Sequence, residues 1–176
     1  MFCRKEKAGS NRGRKSGKWG RFCLKWGTVA GILAAVFLFI VQIVPYHGIS
    51  MYPSIRDGDL LVIYKPGKYQ IGDVVRYKTS DGKQRLGRIM ATEGQVIDIT
   101  ESGEWTRNGT VPSETEYYPT SRSEDSSLVF PYTVEEDGFF ILNDYRPETE
   151  DSRLYGTVPQ ERVIGKVIFV LRIRGI

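Results

Sequence analysis

One uncharged apolar segment near the N terminus constrains the fold of this chain more than any other feature. Residues 26–44, WGTVAGILAAVFLFIVQIV, contain no charged side chain, and Gln42 is their only strongly polar residue. A helix of that length extends about 28 Å, which is close to the hydrocarbon thickness of a bilayer. The segment therefore predicts one transmembrane helix near the N terminus.

The distribution of charge predicts the orientation of this helix. Of 25 Lys and Arg residues, nine lie within residues 1–25 beside a single acidic residue, so this tail is basic and the remainder is mildly acidic. Basic flanks stay on the cytoplasmic side of a membrane. We therefore expect a single-pass protein of the cell membrane, with a cytoplasmic tail at 1–25 and an external domain at 46–176. A basic arm that enters an apolar segment does not indicate nucleic-acid binding.

A cleavable signal peptide is the alternative for residues 26–44. The apolar run is long for a signal peptide, and PYHGIS follows it in place of a small-residue cleavage site. These observations favour an uncleaved anchor that contacts the lipid bilayer.

The cysteines give a second constraint on the external domain. Both of them, Cys3 and Cys23, lie on the predicted cytoplasmic side. The external domain therefore cannot be stabilised by internal disulfides and depends on a hydrophobic core. No metal or cofactor is expected to take part in the fold or in the function.

Short apolar segments separated by turns predict that the external domain is mainly β, as an antiparallel sheet or barrel. Asp81–Gly82 marks a hairpin turn between two of these segments. Residues 101–137 are rich in acidic residues and are expected to form an insertion with a small hairpin at Asn108–Gly109. The predicted strands are 60–65, 74–78, 85–92, 95–100, 138–144 and 165–173.

Three motifs carry a resemblance to a known family. They are SMYPS at 50–54, GDVVRY at 72–77 and NDYRPETEDSRLYGTVP at 143–159. In this order, behind an N-terminal anchor, they resemble the type I signal peptidases, which are membrane-anchored serine proteases that remove signal peptides from exported proteins. The resemblance extends from the anchor to the C terminus and implies a signal-peptidase-like fold for the external domain.

The resemblance implies that Ser50 is the nucleophile of a Ser–Lys dyad, in which a partly desolvated lysine takes the serine proton. The family writes the lysine segment Lys-Arg-Val-x-Gly-x-Pro-Gly-Asp, and GRIMATEGQ at 87–95 corresponds to it here. Gly87 takes the place of the lysine and has no side chain to accept a proton. Thr149 replaces a serine whose hydroxyl, in the family, helps to orient the lysine.

Two side chains are candidates to replace the missing base. Lys83 can lose a proton, but its Cα is expected about 13 Å from that of residue 87 along the strand. His47 is the only histidine and lies three residues before Ser50. Arg85 shares a strand face with residue 87 but cannot be deprotonated. The sequence thus favours an inactive or very weak enzyme and leaves Lys83 and His47 open.

Other residues correspond to structural and binding positions of the family. Asp151 with Arg153, and Asp144 with Arg88, are expected to form ion pairs that fix local geometry. The family binds its substrate as an added β-strand. Subsite positions matched by the resemblance are Tyr46, Met51, Ile55, Arg85 and Leu86, and an ordinary core role is the alternative for Ile55 and Leu86.

Three functional hypotheses follow from these residues. The first is a non-catalytic signal-peptidase-like protein, similar to the streptococcal proteins of this family that assist pilus assembly, with pilin subunits and a sortase as partners. The second is an active signal peptidase that acts on signal-peptide precursors. The third is a membrane-anchored β domain that binds an unrelated partner through its acidic insertion.

Overall fold

The computed structural model of the chain describes residues 16–113 and 118–172. Helix α1, Ser16–Phe39, is followed after one residue by strand β1, Val41–Pro45. The prediction of a helix over 26–44 is therefore wrong at both ends. The last residues of the apolar run form a strand because β1 pairs with the next strand, Val41 opposite Tyr64 and Val44 opposite Leu61.

Among the described residues, no helix combines the length and the apolar character needed to span a membrane. Residues 1–15, which carry most of the predicted basic tail, lie outside the described residues.

The rest of the described chain is mainly β, as predicted. Its elements are β2 (Leu60–Tyr64), β3 (Val74–Lys78), β4 (Gln84–Thr92), β5 (Val96–Ile99), β6 (Trp105–Arg107), β7 (Tyr132–Thr133), β8 (Gly138–Leu142), α2 (Ser152–Tyr155), β9 (Val158–Pro159) and β10 (Val163–Leu171), with a 3₁₀ turn at Gln160–Arg162. The single-turn helix α2 was not predicted, because four residues are too few for a periodic pattern.

The strands form two antiparallel sheets. In the described residues, the larger sheet has the order β1-β2-β10-β3-β4-β8-β9, and the smaller has the order β6-β5-β7. The predicted turn at Asp81–Gly82 joins β3 to β4, and Gly82 has the positive φ (82°) that such a turn requires. The smaller sheet is built from β5 and from strands within residues 101–137, with Asn108 at a turn φ of 53°.

Three buried clusters form the hydrophobic core. One of them combines four of the residues matched to family subsites with two side chains of β2. Its members are Tyr46, Met51, Ile55, Leu61, Ile63 and Leu86. These side chains pack against one another at the base of the cleft described next, so they hold β2, β4 and the segment after β1 together.

Candidate active site

The segment that follows β1 borders a cleft of about 360 Å³. One wall comes from the end of β1 and the residues up to Ser50, and the other comes from β3, β4 and the segment after β8. The lining residues are Val44, Pro45, Tyr46, His47, Gly48, Ile49, Ser50, Leu61, Ile63, Arg76, Gln84, Arg85, Leu86, Asn143 and Glu148. Apolar side chains from β2 and β4 thus lie beside a small number of polar groups, an arrangement that suits a peptide segment.

Ser50 is half-buried in this cleft, and its hydroxyl contacts a tyrosine. Oγ of Ser50 lies 2.9 Å from the hydroxyl oxygen of Tyr46, and either group can donate. The amide of Met51 donates to the same tyrosine oxygen at 3.2 Å. Within the described part of the chain, Tyr46 is the only hydrogen-bond partner of the Ser50 hydroxyl. Ser50 is therefore held by a phenol and not by an amine.

The backbone of Ser50 is fixed from a distant part of the chain. The amide of Tyr145 donates to the Ser50 carbonyl at 2.9 Å, and the Tyr145 ring packs edge-on against Tyr118, with centroids 5.1 Å apart. The third motif thus supports the first directly.

Gly87 lies in β4, buried against the neighbouring strand. A Cβ atom at this position would overlap Cγ2 of Ile141 and would lie 3.4 Å from Cε1 of Tyr77. The Tyr77 hydroxyl is buried, and burial raises the pKa of this phenol above its usual range. It has no hydrogen-bond partner among the residues described. A side chain at position 87 therefore requires Ile141 to move.

The structure brings neither candidate replacement base into contact with Ser50. Nζ of Lys83 lies 3.0 Å from the Asp81 carboxylate at an exposed site. This hydrogen bond raises the pKa of Lys83, which favours the protonated form. His47 borders the cleft, but it is exposed and its Nδ1 lies 3.4 Å from Oδ1 of Asp57.

Arg85 and the segment after β8 form a charged group at the other side of the cleft. Arg85 pairs with Glu150 and lies 3.9 Å from Glu148. Burial raises the pKa of the Glu148 carboxyl. Thr149, between these two acids, is half-buried, and its carbonyl accepts from the amide of Asp151 at 2.8 Å.

Asp151 and Arg153 form a fully buried ion pair behind this segment. Arg153 donates from Nε and one terminal nitrogen to the two carboxylate oxygens, at 2.9 and 2.7 Å. Asp151 also caps α2 by accepting from the Arg153 amide at 2.9 Å. The guanidinium reaches the carbonyls of Ser121, Arg146 and Glu148. The pair therefore joins the residues after β8 to Ser121, which lies within the acid-rich residues 101–137.

Arg88 and Asp144 form the other pair considered from the sequence. Their two hydrogen bonds are 2.8 and 2.5 Å long. Arg88 also donates to the carbonyl of Gly72 at 2.9 Å and to Oγ of Ser54 at 3.5 Å. All three motifs are thus linked through one guanidinium group.

Several groups that shape the cleft were not identified as functional from the sequence. The Tyr46 hydroxyl was missed because only its apolar ring was considered. Arg76 lies within the second motif, GDVVRY, where it was given no role. Asn143 opens the third motif but was given no role of its own, yet its side chain donates to the carbonyl of Glu148 at 3.1 Å. Among the described residues, no group of three acidic, histidine or cysteine side chains can hold a metal ion.

The described chain thus combines a mainly β fold with a half-buried serine in a cleft lined by apolar and polar side chains. The chain belongs to the signal peptidase (peptidase S26) family, whose model matches residues 19–172. It is similar to a probable signal peptidase I-1 of Synechocystis sp., with 28% identity over 156 residues that cover 80% of this chain and 76% of the relative. Signal peptidase IB of Staphylococcus aureus is 22% identical over 168 residues, which cover 83% of this chain and 87% of the relative.

Among solved structures, a signal peptidase I from Enterococcus faecalis V583 aligns with a TM-score of 0.48 and 23% identity. The alignment covers 57% of this chain and 97% of that chain.

Proposed function

We propose that this protein is a non-catalytic member of the signal peptidase family that holds an extended peptide in the cleft beside Ser50. One observation carries the proposal: in the described chain the only hydrogen-bond partner of the Ser50 hydroxyl is the phenol of Tyr46. A serine hydroxyl needs a neighbouring base to attack a peptide bond at neutral pH. The hydroxyl of Tyr46 is itself a proton donor and does not take the place of the lysine amine that serves as the base in active members of the family.

The environment of Gly87 supports the same proposal. By the motif resemblance, Gly87 stands where the active members carry their lysine. Ile141 and Tyr77 fill the adjacent space. The site is therefore packed without a lysine, instead of containing a cavity from which a side chain has been removed.

We propose that the held peptide belongs to a pilin subunit and that a sortase acts beside it. The resemblance to streptococcal signal-peptidase-like proteins suggests these partners. A protein that presents subunits needs a peptide cleft but no cleavage, and the cleft around Ser50 is lined in part by the accessible apolar side chains of Val44 and Ile49.

We also propose that the N-terminal segment anchors the domain at the outer face of the cell membrane, with the N terminus in the cytoplasm. Helix α1 carries exposed large apolar side chains, and its C-terminal part has no charged residue. They include Phe22, Leu24, Trp26, Val29, Ile32, Leu33, Phe37 and Phe39. Carbonate extraction of membranes, with protease digestion of intact and lysed protoplasts, tests this topology. Release by carbonate, or protection of the domain in intact protoplasts, contradicts it.

An active signal peptidase is the second candidate, because relatives of this chain are named signal peptidases and Ser50 borders an open cleft. In that case the substrates are signal-peptide precursors. A serine peptidase without its base retains only the rate given by binding and oxyanion stabilisation, which is lower by orders of magnitude.

Replacement of Ser50 in the native host separates the two candidates. Ser50→Ala removes the hydroxyl and leaves the cleft open, whereas Ser50→Trp fills the cleft. We expect normal high-molecular-weight pilus polymers with Ser50→Ala and loss of polymers with Ser50→Trp, at equal protein levels on an immunoblot. Ser80→Ala, at an exposed position outside the cleft lining, is the control. Accumulation of uncleaved precursor with Ser50→Ala would identify Ser50 as a nucleophile and contradict the proposal.

A further inference from the structure

Arg76 is a cleft residue that neither the motifs nor the proposed function accounts for. It lies in β3, directly opposite Leu86 of β4 in the antiparallel register. On the other side it lies opposite Gly165 of β10, which has no side chain. Arg76 therefore extends from the sheet face that carries Leu86 and borders the cleft together with Leu61 and Ile63.

The guanidinium of Arg76 has no ionic partner. It is half-buried, and in residues 16–113 and 118–172 no carboxylate lies within ion-pair distance and no hydrogen bond engages it. Two other arginines of the same domain that are half-buried or buried pair with a carboxylate: Arg88 pairs with Asp144, and Arg153 pairs with Asp151. Arg85, in the same cleft, pairs with Glu150.

An unpaired arginine in a partly desolvated cleft is an unfavourable arrangement for a purely structural residue. The guanidinium stays protonated at any pH at which the protein is folded. Partial burial next to apolar side chains weakens its hydration, and a charge-assisted hydrogen bond to a carboxylate restores that lost interaction. Arg85 and Glu148 offset one another in the lining, so Arg76 leaves the cleft with a net positive charge.

We propose that Arg76 forms a subsite for the side-chain carboxylate of an aspartate or glutamate in the extended peptide held by the cleft. The inference rests on the proposed peptide-holding function and specifies the peptide that is preferred. The carboxylate is that of an internal residue, because the peptide of the proposed function is an extended segment whose side chains reach the cleft. The exposed side chain of Ile49 and the half-buried side chain of Val44, which also border the cleft, contact neighbouring apolar residues of the same peptide.

Fluorescence anisotropy with the full-length chain in detergent micelles tests this subsite. The probes are labelled, C-terminally amidated peptides of alanine, serine and valine in which a single glutamate is moved along the sequence, each with a glutamine-matched partner. At one position we expect the glutamate peptide to bind about tenfold more tightly, equivalent to about 1.4 kcal/mol. In Arg76→Gln the preference disappears. Lys83→Gln removes an exposed cation outside the cleft lining and keeps the preference.

The outcomes distinguish this inference from the proposed function. Equal binding of all glutamate and glutamine pairs overturns the acidic subsite but leaves peptide holding intact. A preference that survives Arg76→Gln overturns the role of this arginine. A glutamine peptide with a free C-terminal carboxylate is a further probe. If it binds more tightly than every peptide with an internal glutamate, the subsite binds the C-terminal carboxylate of a chain and the proposed side-chain subsite is wrong. If no peptide binds, the proposed function and the subsite both fail.

Discussion

Cγ2 of Ile141 occupies the position into which a side chain on Gly87 must extend. The two residues lie on adjacent antiparallel strands, with Arg88 opposite Leu142 and Ile89 opposite Ile141. Protein interiors are close-packed, so an added methyl group at such a contact forces the neighbour or the backbone to shift. A lysine at position 87 therefore cannot be accommodated unless Ile141 of β8 changes its packing.

This coupling predicts the result of a double-mutant cycle. Gly87→Ala should lower the free energy of unfolding by about 1–3 kcal/mol through overpacking. In the background of Ile141→Ala, which lacks Cγ2, the same change should cost markedly less. Urea unfolding of the four proteins measures both values. Equal costs in the two backgrounds would show that Ile141 does not restrict position 87.

The same contact predicts that Gly87→Lys alone does not restore a peptidase. The first side-chain atom of a lysine at position 87 already overlaps Ile141 and lies close to the buried Tyr77. We expect no cleavage of a signal-peptide precursor by Gly87→Lys in detergent, with Ser50→Ala as the negative control. Rapid cleavage by the single variant would mean that the cleft remains organised for catalysis.

We expect loss of the Tyr46 hydroxyl to lower the free energy of unfolding measurably. Tyr46→Phe leaves the buried amide of Met51 without its acceptor, which should cost about 1–3 kcal/mol. Tyr52→Phe is the matched control, because Tyr52 is exposed. Chemical denaturation measures both variants. Identical values for the two would indicate that the Tyr46 hydroxyl contributes nothing to the conformation around Ser50.

The buried pair of Asp151 and Arg153 predicts a large loss of stability when one partner is removed. Arg153→Met leaves the Asp151 carboxylate buried without compensation, which should cost about 3–5 kcal/mol. Lys83→Met breaks an exposed pair with Asp81 and should change stability little. Thermal and urea unfolding provide the comparison. A small effect of Arg153→Met would mean that water or another cation compensates Asp151.

We expect the contribution of Asp59 to the free energy of unfolding to depend on pH. The hydrogen bond from Arg172 holds the pKa of the Asp59 carboxyl below its ordinary value. A depressed pKa in the folded state means that the stabilisation is complete above the unfolded pKa of about 3.9 and is lost as the pH falls through the folded pKa. The difference in unfolding free energy between the wild type and Asp59→Asn should therefore be largest near neutral pH and shrink at acidic pH.

Asp125→Asn is the control for this experiment, because Asp125 is exposed. Urea unfolding at a series of pH values gives the two differences. A difference for Asp59→Asn that stays constant down to acidic pH would contradict the ion-pair account.

The strands could be predicted from the sequence more closely than the helix. The segment 74–78 corresponds to β3, and 60–65 exceeds β2 by one residue, because turn residues interrupt the apolar pattern at both ends. The end of α1 could not be predicted in this way. Residues 41–44 are as apolar as the helix before them, and only pairing with β2 distinguishes their conformation.

From the sequence, only those residues of the candidate site that belong to a recognisable motif could be predicted. The motifs identified Ser50 and Gly87, but hydrophobic pattern and motif spacing do not specify which side chains meet in space. The contact of Tyr46 with Ser50, the overlap at Ile141 and the pairing of Lys83 with Asp81 all depend on how the strands twist and turn. The role of Arg76 could not be predicted, because the sequence does not show which side chains surround a single arginine in a strand.

The position of β10 determines when the cleft can form during folding. This last strand lies between β2 and β3 in the larger sheet, and it pairs with both. Leu61 and Ile63 on one side, and Arg76 on the other, therefore join a single sheet only after residues 163–171 have been inserted. Such long-range pairing is slow to form. A chain that is still being synthesised thus has no complete cleft until residues 163–171 have been added and paired with β2 and β3.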